Sequence, residues 1–133
     1  MPEVTIVEVL ERELDRLRGP HLIEWAHEVK LPSPAHLKLV EGYLVYHFSN
    51  WSGKILLELR VEDEKGKVYF DKQYRLLSST LRTVLGRGRD SKKIEIPLSV
   101  KTSAPPVLWV RLRAEAVTGW FKFTITDLKL VIE

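Results

Sequence analysis

Two groups of residues in this chain have the side chains to bind something. The first is indole. Trp109 shares strand parity with Arg111 and Arg113, opposite the apolar set Leu108, Val110, Leu112, Ala114 and Ala116. If that set points inward, Trp109 lies on the outer surface beside Arg111. Trp51 falls in an Asn50–Gly53 turn, and Trp120 follows Gly119 at a strand entrance. An exposed indole next to a guanidinium suits stacking on a sugar ring or a base. It equally suits a subunit interface, where Trp and Arg are enriched. Trp109, Arg111, Trp51 and Trp120 are therefore the candidate ligand-binding residues, and Trp25 reads as core. Burial of Trp109 beneath the N-terminal segment is the remaining alternative.

The second group is cationic. Gly86-Arg87-Gly88-Arg89 is followed by Lys92 and Lys93. Glycines let backbone N–H groups turn toward an anion, and arginines add bidentate donors. The run lacks the Gly-Lys-Ser/Thr of a phosphate-binding loop and the spacing of a dinucleotide fingerprint. Arg87, Arg89, Lys92 and Lys93 are thus candidates for meeting phosphates or acidic sugars, against the plainer reading of a flexible basic loop.

Catalytic patterns are missing. His21, His27, His36 and His47 have no metal-ligand spacing, and there is no cysteine. Ser49, Ser52, Ser78, Ser79 and Ser91 show no nucleophile-elbow context. The expectation is a non-enzyme without metal or cofactor.

Charge is unevenly distributed around a net of +3. Residues 1–30 carry seven acids and four bases, whereas residues 72–113 carry ten bases and two acids. A fold that gathers the second stretch on one face would attract anions, nucleic acid included. Packing of the acidic segment beside it would cancel the field. One Asn, one Gln, one Met and no Cys, against 39 charged residues, are the composition of a thermophilic protein.

These residues must be positioned by a chain of 133 residues, 44% apolar, which is the size of a single domain spanning 1–133. No apolar run reaches the roughly 18 residues of a membrane helix. The first nine residues lack a basic n-region and a cleavage site, so a cytoplasmic location is expected.

After Pro20 the apolar period is two, in about seven or eight short segments. Gly66 marks a hairpin turn between the Ile55–Val61 and Val68–Leu76 runs. Residues 78–93 are the least regular, with a short helical or strand piece near Leu81–Leu85 inside a loop. In the last strand Phe121, Phe123 and Ile125 have one parity and Leu128, Leu130 and Ile132 the other, which predicts a bulge at Thr126-Asp127. Residues 1–19 form a lead-in that is either helix or strand. Val4, Val7, Leu10, Leu14 and Leu17, with a Thr5/Glu8 capping box, favour a helix over about 6–18. The β-branched run Val4–Val7 favours a strand.

The pattern predicts a mainly β protein, an antiparallel sandwich of about 7–9 strands with one N-terminal helix as an option. The Trp51-Ser52-Gly53 to Val61 stretch, the Pro106–Ala116 strand and the closing Phe123-Thr-Ile-Thr-Asp-Leu-Lys-Leu-Val-Ile132 run carry a resemblance. Their rhythm resembles galactose-binding-like jelly rolls, the group that includes carbohydrate-binding modules. That resemblance implies recognition of sugar through exposed aromatic rings, and transfers no individual residue. Carbohydrate is therefore the favoured partner. A self-associating interaction protein of a thermophile or its virus, and a nucleic-acid binder using residues 72–113, are the alternatives.

Overall fold

The computed structural model describes residues 2–133. Its elements are β1 (Glu3–Asp15), β2 (Leu22–Lys30), β3 (His36–Asp63), β4 (Val68–Ser78), α1 (Leu81–Leu85), β5 (Arg87–Lys101) and β6 (Pro106–Ile132). Two of the strands are far longer than the five or six residues usual for a strand. β3 has 28 residues and β6 has 27, and they pair antiparallel along almost their whole length.

This long ribbon folds over itself, because its two ends bury opposite sheets. Residues 36–49 pair with β5 and with residues 120–132 of β6, which in turn pair with β1. Residues 54–63 pair with β4 and with residues 106–115 of β6, which pair with β2. The crease lies at Asn50–Gly53 and Thr118–Gly119, where the register shifts. Asn50 has φ 50° and Gly119 φ 72°, the left-handed conformation that turns both strands together. Thr118 Oγ1 donates to the Asn50 carbonyl at 3.0 Å and meets Ser52 Oγ at 2.7 Å, which closes the corner.

Counted by arms, the six strands become eight, numbered along the chain from β1 to the end of β6. Sheet I then has the order 1-8-3-6 and sheet II the order 2-7-4-5. Eight antiparallel arms in two such sheets are a jelly roll. The sequence expectation of a jelly-roll-like sandwich of 7–9 strands holds in this sense. One continuous core fills the space between the sheets, from Leu10, Leu14, Leu44, Phe48, Ile96, Phe121 and Phe123 on one side to Ile55, Leu57, Leu59, Leu108, Val110 and Leu112 on the other. The bulge predicted at Thr126-Asp127 is present: Asp127 has φ 52°, and three β6 residues span two of β3. Among the described residues no helix is long and apolar enough to cross a membrane.

Two expectations are corrected. The N-terminal segment is strand β1, not a helix over 6–18. Ile6, Leu10 and Leu14 are buried, while Glu8 and Arg12, on the same parity, are exposed. A spacing of four fits a helical face and also every second inward position of a strand, so periodicity alone could not choose. Pairing with β6 decides it, and Leu17, which completed the helical pattern, is 94% exposed in the following turn. Residues 87–93 are likewise the start of β5 and not loop. They pair with β3, His47 opposite Arg89 and Tyr43 opposite Lys93. The helical piece at Leu81–Leu85 is real, begun by a Thr80/Thr83 capping box.

Candidate functional site

The outer surface of sheet II carries Trp109. Its strand is internal, so it has neighbours on both sides: Glu28 of β2 and Arg60 of β3, with Asp71 of β4 beyond. Arg111, on the same face, stands between Ala26 and Glu58. Trp109 is 43% exposed, so the reading that buried it beneath the N-terminal segment does not apply. Its Nε1 donates to Glu62 Oε1 at 2.9 Å, which fixes the plane of the ring. Glu62 also meets Arg60 at 3.2 Å, and Arg60 reaches Asp71 at 3.8 Å. The Arg60 Nε is buried without a hydrogen-bond partner. Ala26, Glu58, Arg60, Glu62, Trp109 and Arg111 line a depression of about 290 Å³. An apolar ring face bordered by fixed acceptors and donors is chemically suited to a ligand with one apolar face and a hydroxylated rim.

The outer surface of sheet I carries Trp120. It lies between Asp15 of β1 and Ser49 of β3, with Arg87 of β5 beyond. The next row is Glu13, Lys122, His47 and Arg89. Trp120 Nε1 donates to Glu13 Oε1 at 2.6 Å. Its ring and its neighbours Ser49, His47, Arg87 and Arg89 border a second depression of about 580 Å³. Trp109 and Trp120 therefore sit on opposite faces of the sandwich and belong to separate sites.

Trp51 is no ligand residue. It is fully buried at the crease, stacked on Phe121 at a centroid distance of 4.0 Å, and its Nε1 donates to the Glu115 carbonyl at 3.1 Å. A turn position suggested exposure, but this turn faces into the gap between the sheets. The Lys92 Nζ donates to the Leu76 carbonyl at 2.8 Å, which joins β5 to β4. Lys93 points outward, with its Nζ 3.4 Å from Glu95. Trp25 is half-buried and stacks on His27.

The glycines of Gly86-Arg87-Gly88-Arg89 do not form an anion cradle. A β-carbon at Gly88 would come within 2.9 Å of the Phe48 ring, so this glycine leaves room for core packing. Arg82 lies over the same ring at 5.4 Å and pairs with Asp90 at 3.1 Å. Nor does the basic stretch form one face. Arg87, Arg89 and Lys93 are on sheet I, whereas Arg75, Arg111 and Arg113 are on sheet II, where Glu24 lies 3.9 Å from Arg113.

The carboxylates with displaced acidity serve structure. Burial would raise the Asp63 carboxyl, but a hydrogen bond from Tyr69 and the Lys65 and Lys67 amides together hold it below its ordinary value. Asp90 is lowered by the Ser91 amide and by Arg82. A carboxyl stabilised as the anion is a poor general acid. Among the described residues no three His, Asp or Glu gather as a metal site.

Sequence reasoning missed the border of each indole: Glu28, Glu58, Arg60 and Glu62 around Trp109, and Glu13, His47 and Lys122 around Trp120. Alternation already places Glu58, Arg60 and Glu62 on an outer face. Only strand order brings them to Trp109.

No protein-family profile and no curated protein matches this chain. Solved structures do resemble it. One is a carbohydrate-binding module, TmCBM61, in complex with beta-1,4-galactotriose; it is 20% identical with a TM-score of 0.45, over 94% of this chain and 70% of that one. Another is from infectious bursal disease virus, Gt strain, 10% identical with a TM-score of 0.45, over 98% of this chain and 32% of that one. A third is the tailspike protein 4 enzymatically active domain of bacteriophage CBA120, 7% identical with a TM-score of 0.43, over 98% of this chain and 19% of that one. None of them assigns a residue or a ligand to this chain.

Proposed function

We propose that this chain is a non-catalytic saccharide-binding sandwich whose ligand lies on the outer face of sheet II, against Trp109. The observation that carries this reading is the half-exposed indole anchored through its Nε1 by Glu62, with Arg60, Arg111 and Glu58 around it. A pyranose presents C–H groups on one face, which pack on an indole, and hydroxyls at its edge, which both donate and accept. Carboxylates and guanidiniums alternate around Trp109, so the rim offers both partners without a strong net charge. A neutral sugar fits that balance. Arg60 adds rigidity through its pairs with Glu62 and Asp71.

The test is binding to a panel of neutral polysaccharides, followed by calorimetry with oligosaccharides of any that bind. Trp109→Ala is expected to weaken binding at least about tenfold, equivalent to roughly 1.4 kcal/mol, with the circular dichroism unchanged. A wild-type chain that binds no neutral glycan, or a Trp109→Ala variant that binds equally well, would overturn the reading. So would a dimer in sedimentation that Trp109→Ala converts to monomer, since the indole would then belong to a subunit interface.

A further inference from the structure

We propose that the outer face of sheet I is a second binding site, separate from that of Trp109 and selective for anionic saccharides bearing carboxylate or sulfate groups. Three observations support it. Trp120 is half-buried with its Nε1 tied to Glu13, so its ring is already ordered for stacking. Arg87 and Arg89 point to the same side of β5 and are exposed, and no carboxylate among the described residues lies within ion-pairing distance of either. The depression of about 580 Å³ joins these three side chains to His47 and Ser49. Several cations on or beside this sheet are already paired: Lys122 meets Glu11, Lys129 meets Glu3 and Glu41, Arg82 meets Asp90. Arg87 and Arg89, which border the depression with the ordered Trp120 indole, are left free to meet an anion.

The charge distribution decides the ligand class. A nucleic acid needs a track of cations that follows many phosphates. Here the basic strip along β5 is short, and the same face becomes acidic at Glu11, Glu13 and Asp15 of β1. A long polyanion laid across the strands would meet those carboxylates. A sugar ring on Trp120 with one or two acidic groups over Arg87 and Arg89 would not. Guanidiniums suit both carboxylate and sulfate, through paired N–H donors. The site does not depend on Trp109, which faces the other way.

The experiment measures retention and affinity of the full chain on polygalacturonate, on dextran sulfate, on a neutral galactan and on a DNA duplex. Binding to at least one acidic polysaccharide is expected, and its identity separates carboxylate from sulfate preference. That affinity is expected to fall at least tenfold in Arg87→Gln/Arg89→Gln and in Trp120→Ala, to decline moderately with salt, and to be unchanged in Trp109→Ala. Thermal unfolding of each variant confirms that the fold persists. Failure to bind either acidic polymer at low salt overturns the proposal. Equal binding by Arg87→Gln/Arg89→Gln does the same, and tighter binding to the DNA duplex through these arginines would replace it with a nucleic-acid site. Loss of neutral-glycan binding in Trp109→Ala alone bears only on the sheet II reading, so the two can fail independently.

Discussion

Trp51 lies on Phe121 with the two rings 4.0 Å apart and 18° from parallel, at the crease where β3 and β6 pass from one sheet to the other. The two residues come from different strands of the long ribbon, Trp51 within the fold of β3 and Phe121 just after the fold of β6. The stack therefore holds the corner from inside, while Thr118, Ser52 and Asn50 close it from outside. Phe121 continues the contact to Tyr46 and Phe123.

Removing the indole should be among the most damaging single changes. Trp51→Ala is expected to cost about 3–5 kcal/mol, the range for deleting a large core aromatic. Trp51→Phe, which keeps the stack but loses the bond to Glu115, is expected to cost less. Urea denaturation of both variants checks the order.

Two turn glycines should respond differently to alanine. At Gly119, with φ 72°, a β-carbon would land on the Ser49 and Asn50 carbonyls, so Gly119→Ala should cost more than the ~1–2 kcal/mol of left-handed backbone alone. At Gly66, with φ 83°, an added β-carbon would meet no non-neighbouring atom within 4 Å, so only that backbone cost applies. Comparable destabilisation by the two variants would contradict the tight corner.

Acid should loosen the end of the sandwich where Asp63 gathers the Lys65 and Lys67 amides, Tyr69 and, through Tyr69, Ser103. The folded carboxyl is more acidic than the unfolded one, so its contribution is complete above the unfolded pKa of about 3.9. It is lost as pH falls through the lower folded value. Tyr69→Phe removes one donor, raises the folded pKa and should move acid unfolding to higher pH. Thermal midpoints measured between pH 2 and 7 show the shift.

Ion pairs on sheet I cross several strands: Lys129 on β6 meets Glu3 on β1 and Glu41 on β3. Such networks, and a composition poor in Asn, Gln, Met and Cys, are expected to place unfolding above the ~45–65 °C of mesophilic domains. Calorimetry at low and high salt is the measurement. A midpoint inside that range, or one indifferent to salt, would remove the link to heat.

The sequence by itself determined the strands that alternate cleanly, because a half-buried strand forces a period of two. Ile55–Val61, Leu108–Ala116 and the phase change at Thr126-Asp127 were all legible, and so was the outward direction of Trp109. Tertiary structure decided what periodicity leaves degenerate. Ile6, Leu10 and Leu14 fit a helix or a strand, and only the open edge of β6 made β1 a strand. Trp51 occupies a turn by sequence, yet the turn closes over the core and buries it. The composition of both sites was beyond reach for the same reason. Trp109 acquires Glu28 and Arg60, and Trp120 acquires Ser49 and Arg87, from strands distant along the chain. Strand order and register, which local residue preferences do not encode, bring those partners within reach.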